Sequence, residues 1–252
     1  MLTPRRAPLL LPALRCFAAA ILMLAAGQAA SARAAETLPP MVVVELFTSQ
    51  GCSTCQPADA FLAELAQRPD IVALEFHVSL WDFLGWSDPL AKPAFNERQH
   101  GYLSAMGGRY PYTPQMVISG QRHEIGSNRD RVEQVIAAVQ SSLPKGPAVT
   151  VRRVDAGHLQ VEVSAAAVGD QYDLVLVGYD SRHETEVENG RNKGRNLVNT
   201  QVVRSLERIG DWSGDAVAMT VAIPPVDGGC AILVQKPNYG PILAAGNIGF
   251  NY

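Results

Sequence analysis

Cys52 and Cys55, with Ser53 and Thr54 between them, are the residues of this 252-residue chain best suited to chemistry. Thiols at this spacing can close into a disulfide, exchange electrons through that bond, or supply two ligands to a metal. A structural zinc needs four ligands, and no second CxxC or close histidine pair completes the set. His77, His100, His123, His158 and His183 are scattered singly, so no metal site is assigned. Copper(I) delivery remains a use of two soft thiolates, although no Met or His cluster accompanies them. Cys230 stands in the apolar run Gly-Cys-Ala-Ile-Leu-Val and reads as a small buried hydrophobe, with pairing to another protein as the other reading.

The elements around the pair set its reactivity. Val42 to Phe47 is a short apolar run rich in β-branched residues, which predicts a central strand. Thr48 to Gly51 reads as a turn, and the CxxC follows at once. Ala58, Phe61, Leu62, Leu65 and Ala66 then recur with helical spacing. Pro57 fits only a first helical turn, so the CxxC lies at the helix N-terminus. Unpaired N–H groups and the helix dipole stabilise a thiolate there. Cys52, outside the first turn, is the attacking sulfur, and Cys55 the resolving one. Ile71 to Val78 reads as a second strand, completing a parallel βαβ unit.

Further along, Trp81, Phe83 and Trp86 form an aromatic cluster with Asp82. Such residues cap a core, or Trp81, Asp82 and Trp86 form one wall of a substrate groove beside Cys52. Pro89 to Met106 reads as a helix broken at Pro93. Strands are predicted over Gln115–Ser119 and Gln121–Ile125, and a helix over Arg129–Ser142. Leu143 to Pro147 has linker composition. Beyond it, strand candidates alternate with turns and almost no helical pattern, from Val149–Val154 to Ile242–Asn247. The fold class expected is therefore α/β: an N-terminal domain over residues 40–143, then a small antiparallel β-sandwich over 148–252. Glu188 to Arg195 (ENGRNKGR) reads as a solvated loop, with anion or partner binding as its other use.

Residues 1–34 read as a secretory signal peptide. Arg5, Arg6 and Arg15 precede and Phe17 to Ala26 forms a ten-residue apolar run, followed by the small-residue site Ala32-Arg33-Ala34. That run is short of the roughly 20 residues that span a bilayer. The mature chain is expected to be periplasmic or secreted, with no membrane span. It would hold 17 Lys+Arg against 24 Asp+Glu, a formal charge of −7, which disfavours nucleic acid as a partner.

Residues 42–142 resemble the thioredoxin superfamily in motif order. More closely, Val43-Glu45-Leu46-Phe47-Thr48-Ser49-Gln50-Gly51-Cys52 with Cys55, Pro57 and Asp59 is similar to an uncharacterised family of secreted bacterial thioredoxin-like proteins, a domain of unknown function. Trp81-Asp82, Leu84-Gly85-Trp86, Asp88-Pro89, Tyr112-Thr113-Pro114-Gln115 and Glu188-Asn189-Gly190-Arg191 match it too. The resemblance implies a thioredoxin-like fold for the first domain and a cis Thr113–Pro114 peptide that faces the dithiol and binds substrate backbone. It also implies a buried carboxylate beneath the dithiol, for which Glu45 is the candidate, relaying a proton to Cys55. Ser53-Thr54 differs from the dipeptides of thioredoxin and of strong disulfide oxidants, leaving the redox direction open. The function expected is an exported thiol–disulfide oxidoreductase acting on protein or small-molecule thiols, without a metal or organic cofactor but with a redox partner that resets the dithiol. A non-catalytic binding protein with a structural Cys52–Cys55 disulfide is the alternative.

Overall fold

The structure, a computed structural model, describes residues 41–250; the expected signal peptide lies outside them. Strand β1 (Val42–Thr48) is buried along its whole length, as its largely apolar run, interrupted by Glu45, suits a strand covered on both faces. It pairs in parallel with β2 (Ile71–His77) and antiparallel with β3 (Gln115–Ile118). Helix α1 (Gln56–Leu65) makes the crossover from β1 to β2. Strand β4 (Arg122–Ile125) pairs with β3 at the sheet edge, and α3 (Arg129–Ser142) follows it.

Strand alternation divides β1 between two cores. Val42, Val44 and Leu46 pack with Phe61, Leu62 and Leu65 of α1 and with Val132, Ile136 and Val139 of α3. Val43 and Phe47 point the other way, toward Phe95 and Tyr102 of α2 (Pro93–Ala105). Pro93 starts α2 instead of breaking a longer helix: the preceding Lys92 is extended, and a proline lacks only an N–H that the first turn leaves unpaired anyway.

The second half departs from the expected free-standing sandwich. Its strands are β5 (Val149–Arg153), β6 (His158–Val163), β7 (Tyr172–Glu186), β8 (Asn196–Trp212), β9 (Val217–Ala222), β10 (Gly229–Gln235) and β11 (Ile242–Gly249). Four of them extend the first sheet, giving an eight-stranded mixed sheet in the order β11-β10-β7-β8-β2-β1-β3-β4. The junction is a parallel β2–β8 pairing at Glu75 and Val202. Only β5, β6 and β9 form a second, antiparallel sheet, whose Leu159, Val161 and Val163 pack on Leu174, Leu176, Ile232 and Val234 of the large one. Hydrophobic runs over Tyr172–Tyr179 and Leu197–Arg204 suggested two short strands. In fact β7 and β8 are 15 and 17 residues long. The buried start of β8 lies opposite the polar end of β7, so each strand's polar stretch hid its continuation.

A buried polar network ties α2 to the large sheet. The Arg98 guanidinium donates to Glu45 Oε1 (2.6 Å), to Gln235 Oε1 (3.0 Å) and to the Tyr102 hydroxyl (2.8 Å). Tyr102 in turn donates to the second Glu45 oxygen. Removing one partner of a buried pair strands the other charge, at a cost of about 3–5 kcal/mol. Arg98→Met should therefore lower the urea midpoint sharply, and adding Glu45→Gln should recover part of the loss. An Arg98→Met midpoint equal to wild type would show that the network holds nothing together.

Candidate active site

Cys55 is the N-cap of α1, and no side chain caps that end. Pro57 supplies no N–H, and the Ala58 and Asp59 N–H groups close the first turn on the Cys55 carbonyl (2.8 and 3.1 Å), so the positive end of the helix dipole lies at Cys55. Cys52 and Cys55 are joined in a disulfide with their Cα atoms 5.5 Å apart. Cys55 is fully buried and Cys52 is 4% exposed, so the bond presents one narrow edge, at Cys52. Ser53 and Thr54 beside it are exposed.

Opposite that edge the Thr113–Pro114 peptide is cis, and the Thr113 carbonyl oxygen lies 3.9 Å from Cys52 Sγ. Trp81 holds this segment, its Nε1 donating to Thr113 Oγ1 (2.7 Å). Trp81 also explains Gly51: a Cβ there would stand 3.0 Å from the Trp81 Cβ. Thr113 thus lies against Cys52, with Pro114 next in the chain and Trp81 bonded to Thr113 and packed by Gly51. Asp82 and Trp86 do other work. Asp82 accepts from Ser87 Oγ and from the Asp88 N–H, shaping its own turn. Trp86 Nε1 donates to Gln50 Oε1 (3.3 Å), bracing the turn before the cysteines.

Glu45 does not lie under the disulfide. It shares a face of β1 with Val43 and Phe47, the face turned away from α1, and its oxygens are taken by Arg98 and Tyr102. The acids beneath the α1 N-terminus are others. Parallel register sets Thr48 beside His77 and Leu46 beside Glu75, so Glu75 and His77 share the α1 face. Asp59, one turn into α1, accepts from the Thr48 hydroxyl (2.6 Å). His77 Nδ1 lies 2.7 Å from Asp88 Oδ2, and Nε2 lies 3.6 Å from Glu75 Oε1. Glu75 accepts from Asn199 Nδ2 (2.7 Å) and from the Thr200 N–H (2.8 Å).

Burial works to lower the His77 pKa, but the Asp88 and Glu75 carboxylates outweigh it and raise it to about 10. Desolvation would raise Asp88, yet His77 and the Gln50 and Leu90 N–H groups hold it below the usual carboxylate range. Asp59 goes the other way. Desolvation, then the Glu75 charge, push its carboxyl well above the usual range despite the Thr48 hydrogen bond. One buried imidazole therefore lies between Asp88 and Glu75, while burial holds the Asp59 carboxyl, one turn into α1, well above the usual range.

The same cluster positions Cys52. Asp88 Oδ2 also accepts from the Gln50 N–H (2.7 Å). The Gln50 side chain donates to Thr185 Oγ1 (2.9 Å) and Asn199 Oδ1 (3.3 Å) on the β7–β8 hairpin. Asn192, buried in the hairpin tip, donates to the carbonyls of Gln50 (2.8 Å) and Cys52 (3.1 Å). Sequence reading passed over His77, Glu75, Asp88 and Asn192 as site residues. Two polar residues alternating at the end of a strand buried on both faces are the signal for the first pair; nothing local marks Asn192.

These features define a mixed α/β protein whose CxxC disulfide sits at a helix N-terminus against a cis-proline segment. The chain belongs to a family described as a protein of unknown function, DUF1223, which matches residues 43–235. It is similar to the crystal structure of the Agrobacterium tumefaciens protein AGR_C_4864, at 30% identity and a TM-score of 0.72, over 83% of this chain and 94% of that one. It is similar in fold to HBP35 of Porphyromonas gingivalis, at 12% identity and a TM-score of 0.62, over 83% of this chain and 75% of that one. No curated protein matches the sequence.

Because folding raises the His77 pKa above 6.5, its contribution is full below pH 6.5 and is lost as pH rises toward about 10. The native state binds the extra proton in that window, so unfolding free energy should fall with rising pH across it. His77→Gln should remove that slope. Urea unfolding at stepped pH gives the comparison, and a wild-type stability that stays level across the window would rule out the buried imidazolium.

Proposed function

We propose that this protein is an exported thiol–disulfide oxidoreductase of thioredoxin-like type, working through Cys52 and Cys55 in the periplasm or outside the cell. The observation that carries the reading is the contact between Cys52 Sγ and the Thr113 carbonyl across a cis Thr113–Pro114 peptide. A substrate strand laid along this segment could donate a backbone N–H to Thr113 while its own sulfur meets Cys52. The β2-β1-β3-β4 part of the sheet, with α1 crossing between parallel strands, supports the thioredoxin-like assignment. The leader pattern and the disulfide itself support export, since such bonds persist in oxidising compartments.

Exchange passes through a mixed disulfide on Cys52. In the reducing direction the Cys52 thiolate attacks a substrate disulfide and one substrate sulfur leaves as thiolate. Cys55 then attacks Cys52 Sγ, the mixed disulfide breaks, and the substrate departs as a dithiol with two electrons gained. The oxidising direction reverses these steps. The α1 N-terminus stabilises the thiolate form. Asp59, four residues after Cys55 and on the helix face that meets Thr48, takes the proton-relay part first considered for Glu45.

One observation favours a second reading. Full burial of Cys55 and near-full burial of Cys52 suit a permanent staple in a binding protein. Insulin reduction with dithiothreitol separates the two. Wild type should exceed the Cys52→Ser/Cys55→Ser double variant at least about tenfold, and Cys55→Ser should accumulate a mixed disulfide that Cys52→Ser never forms. Equal rates for wild type and double variant would leave the staple.

A further inference from the structure

The tip of the β7–β8 hairpin carries Arg191, Lys193 and Arg195, all exposed. Among the described residues none of the three meets a carboxylate. Arg129, Arg152, Arg182 and Arg208 are paired with Glu64, Glu162, Glu184 and Asp211, whereas the exposed Arg109, Arg122 and Arg153 lack a carboxylate among the described residues but stand singly or far from the dithiol segment in sequence. Three unneutralised cations within five residues stand out on a chain that, beyond residue 34, holds 17 Lys+Arg against 24 Asp+Glu.

The tip is fixed against the dithiol. Asn192 ties it to the Gln50 and Cys52 carbonyls. Gly190, at φ +72°, approaches Trp86 so closely that a Cβ would lie 2.9 Å from the Trp86 Cβ. On one side of this anchor the Arg191 guanidinium lies 5.9 Å from the centre of the Trp81 ring, the same ring that holds Thr113. On the other, Arg195 donates to Gln56 Oε1 (2.9 Å), and Gln56 Nε2 donates to the Cys52 carbonyl (3.2 Å). Phe83 extends the wall: it is 77% exposed, with its ring 6.2 Å from that of Trp81.

We propose that this hairpin tip is the specificity rim of the dithiol, selecting peptide thiols and disulfides flanked by carboxylates, with an apolar side chain of the same peptide on Phe83. The proposal rests on the redox reading above. Toward substrate oxidation, a peptide thiolate attacks Cys52 Sγ as the Cys52–Cys55 bond breaks and Cys55 leaves as thiolate. The second peptide thiolate then attacks the peptide sulfur, releasing Cys52. The peptide loses two electrons and its two thiol protons, and the protein gains both. Arg191, Lys193 and Arg195 speed encounter by attracting the flanking carboxylates, an effect that salt screens.

The test uses the oxidised mature protein and three dithiol peptides of one length, their cysteines flanked by Glu, by Gln or by Lys. At low salt the acidic peptide should react about tenfold faster than the neutral one and the basic peptide slowest, with the spread shrinking as salt is added. In Arg191→Gln/Arg195→Gln the acidic-to-neutral ratio should approach one, whereas Arg152→Gln, on the three-stranded sheet, should keep it. Equal wild-type rates for acidic and neutral peptides, or a ratio that survives in the double variant, would overturn the rim while leaving the redox reading standing. Failure of all three peptides to react would overturn both. A gain of mercaptosuccinate over mercaptoethanol as large as the peptide gain would overturn the assignment to peptides.

Discussion

One oxygen of Asp88 accepts both the His77 imidazole N–H and the Gln50 backbone N–H, each at 2.7 Å. His77 closes β2, Gln50 lies in the turn that presents Cys52, and Asp88 ends the aromatic loop that carries Trp81 and Trp86. That single carboxylate therefore fixes three segments whose meeting point is the disulfide. Inside the protein the bond is strong, and it is correspondingly costly to lose, because either partner left alone would be a buried charge. Cys52 opposite Thr113, Trp81 against Gly51 and Asn192 on the Cys52 carbonyl all assume that these segments stay in place.

The two faces of β1 divide the labour. Toward α2, Glu45, Arg98, Tyr102 and Gln235 form a buried network that joins helix to sheet. Toward α1, Thr48, Asp59, Glu75 and His77 form a second polar cluster on the side of the helix that Cys55 caps. A one-residue shift in β1 would exchange the two sets, so the strand's register decides which polar residues lie on the α1 side. The β7–β8 hairpin then completes the α1 side from the second half of the chain. This gives the long hairpin a reason to run past the second sheet and reach the site.

Much of this was readable in the sequence because it depends on local pattern. The apolar run before Cys52, Pro57 in a first turn and helical spacing from Ala58 place a CxxC between strand and helix without long-range information. The choice of Glu45 failed on a global fact. Strand alternation sets Glu45 with Val43 and Phe47, but which face α1 covers depends on packing that the pattern does not contain. The separate sandwich failed for a similar reason. Polar stretches in β7 and β8 mark strands that are half-exposed at one end, and nothing near Glu75 announces that Val202, over a hundred residues away, pairs beside it. Asn192 and the cations around it looked like an ordinary solvated loop because their role comes from where the hairpin ends.

The reduction potential of the Cys52–Cys55 pair tests the central claim most directly. Equilibration in dithiothreitol or glutathione redox buffers, followed through the fluorescence of nearby Trp81, gives the number. A working dithiol at a helix N-terminus should have a potential above about −300 mV. A value below about −300 mV would contradict the redox account and make the disulfide a structural staple.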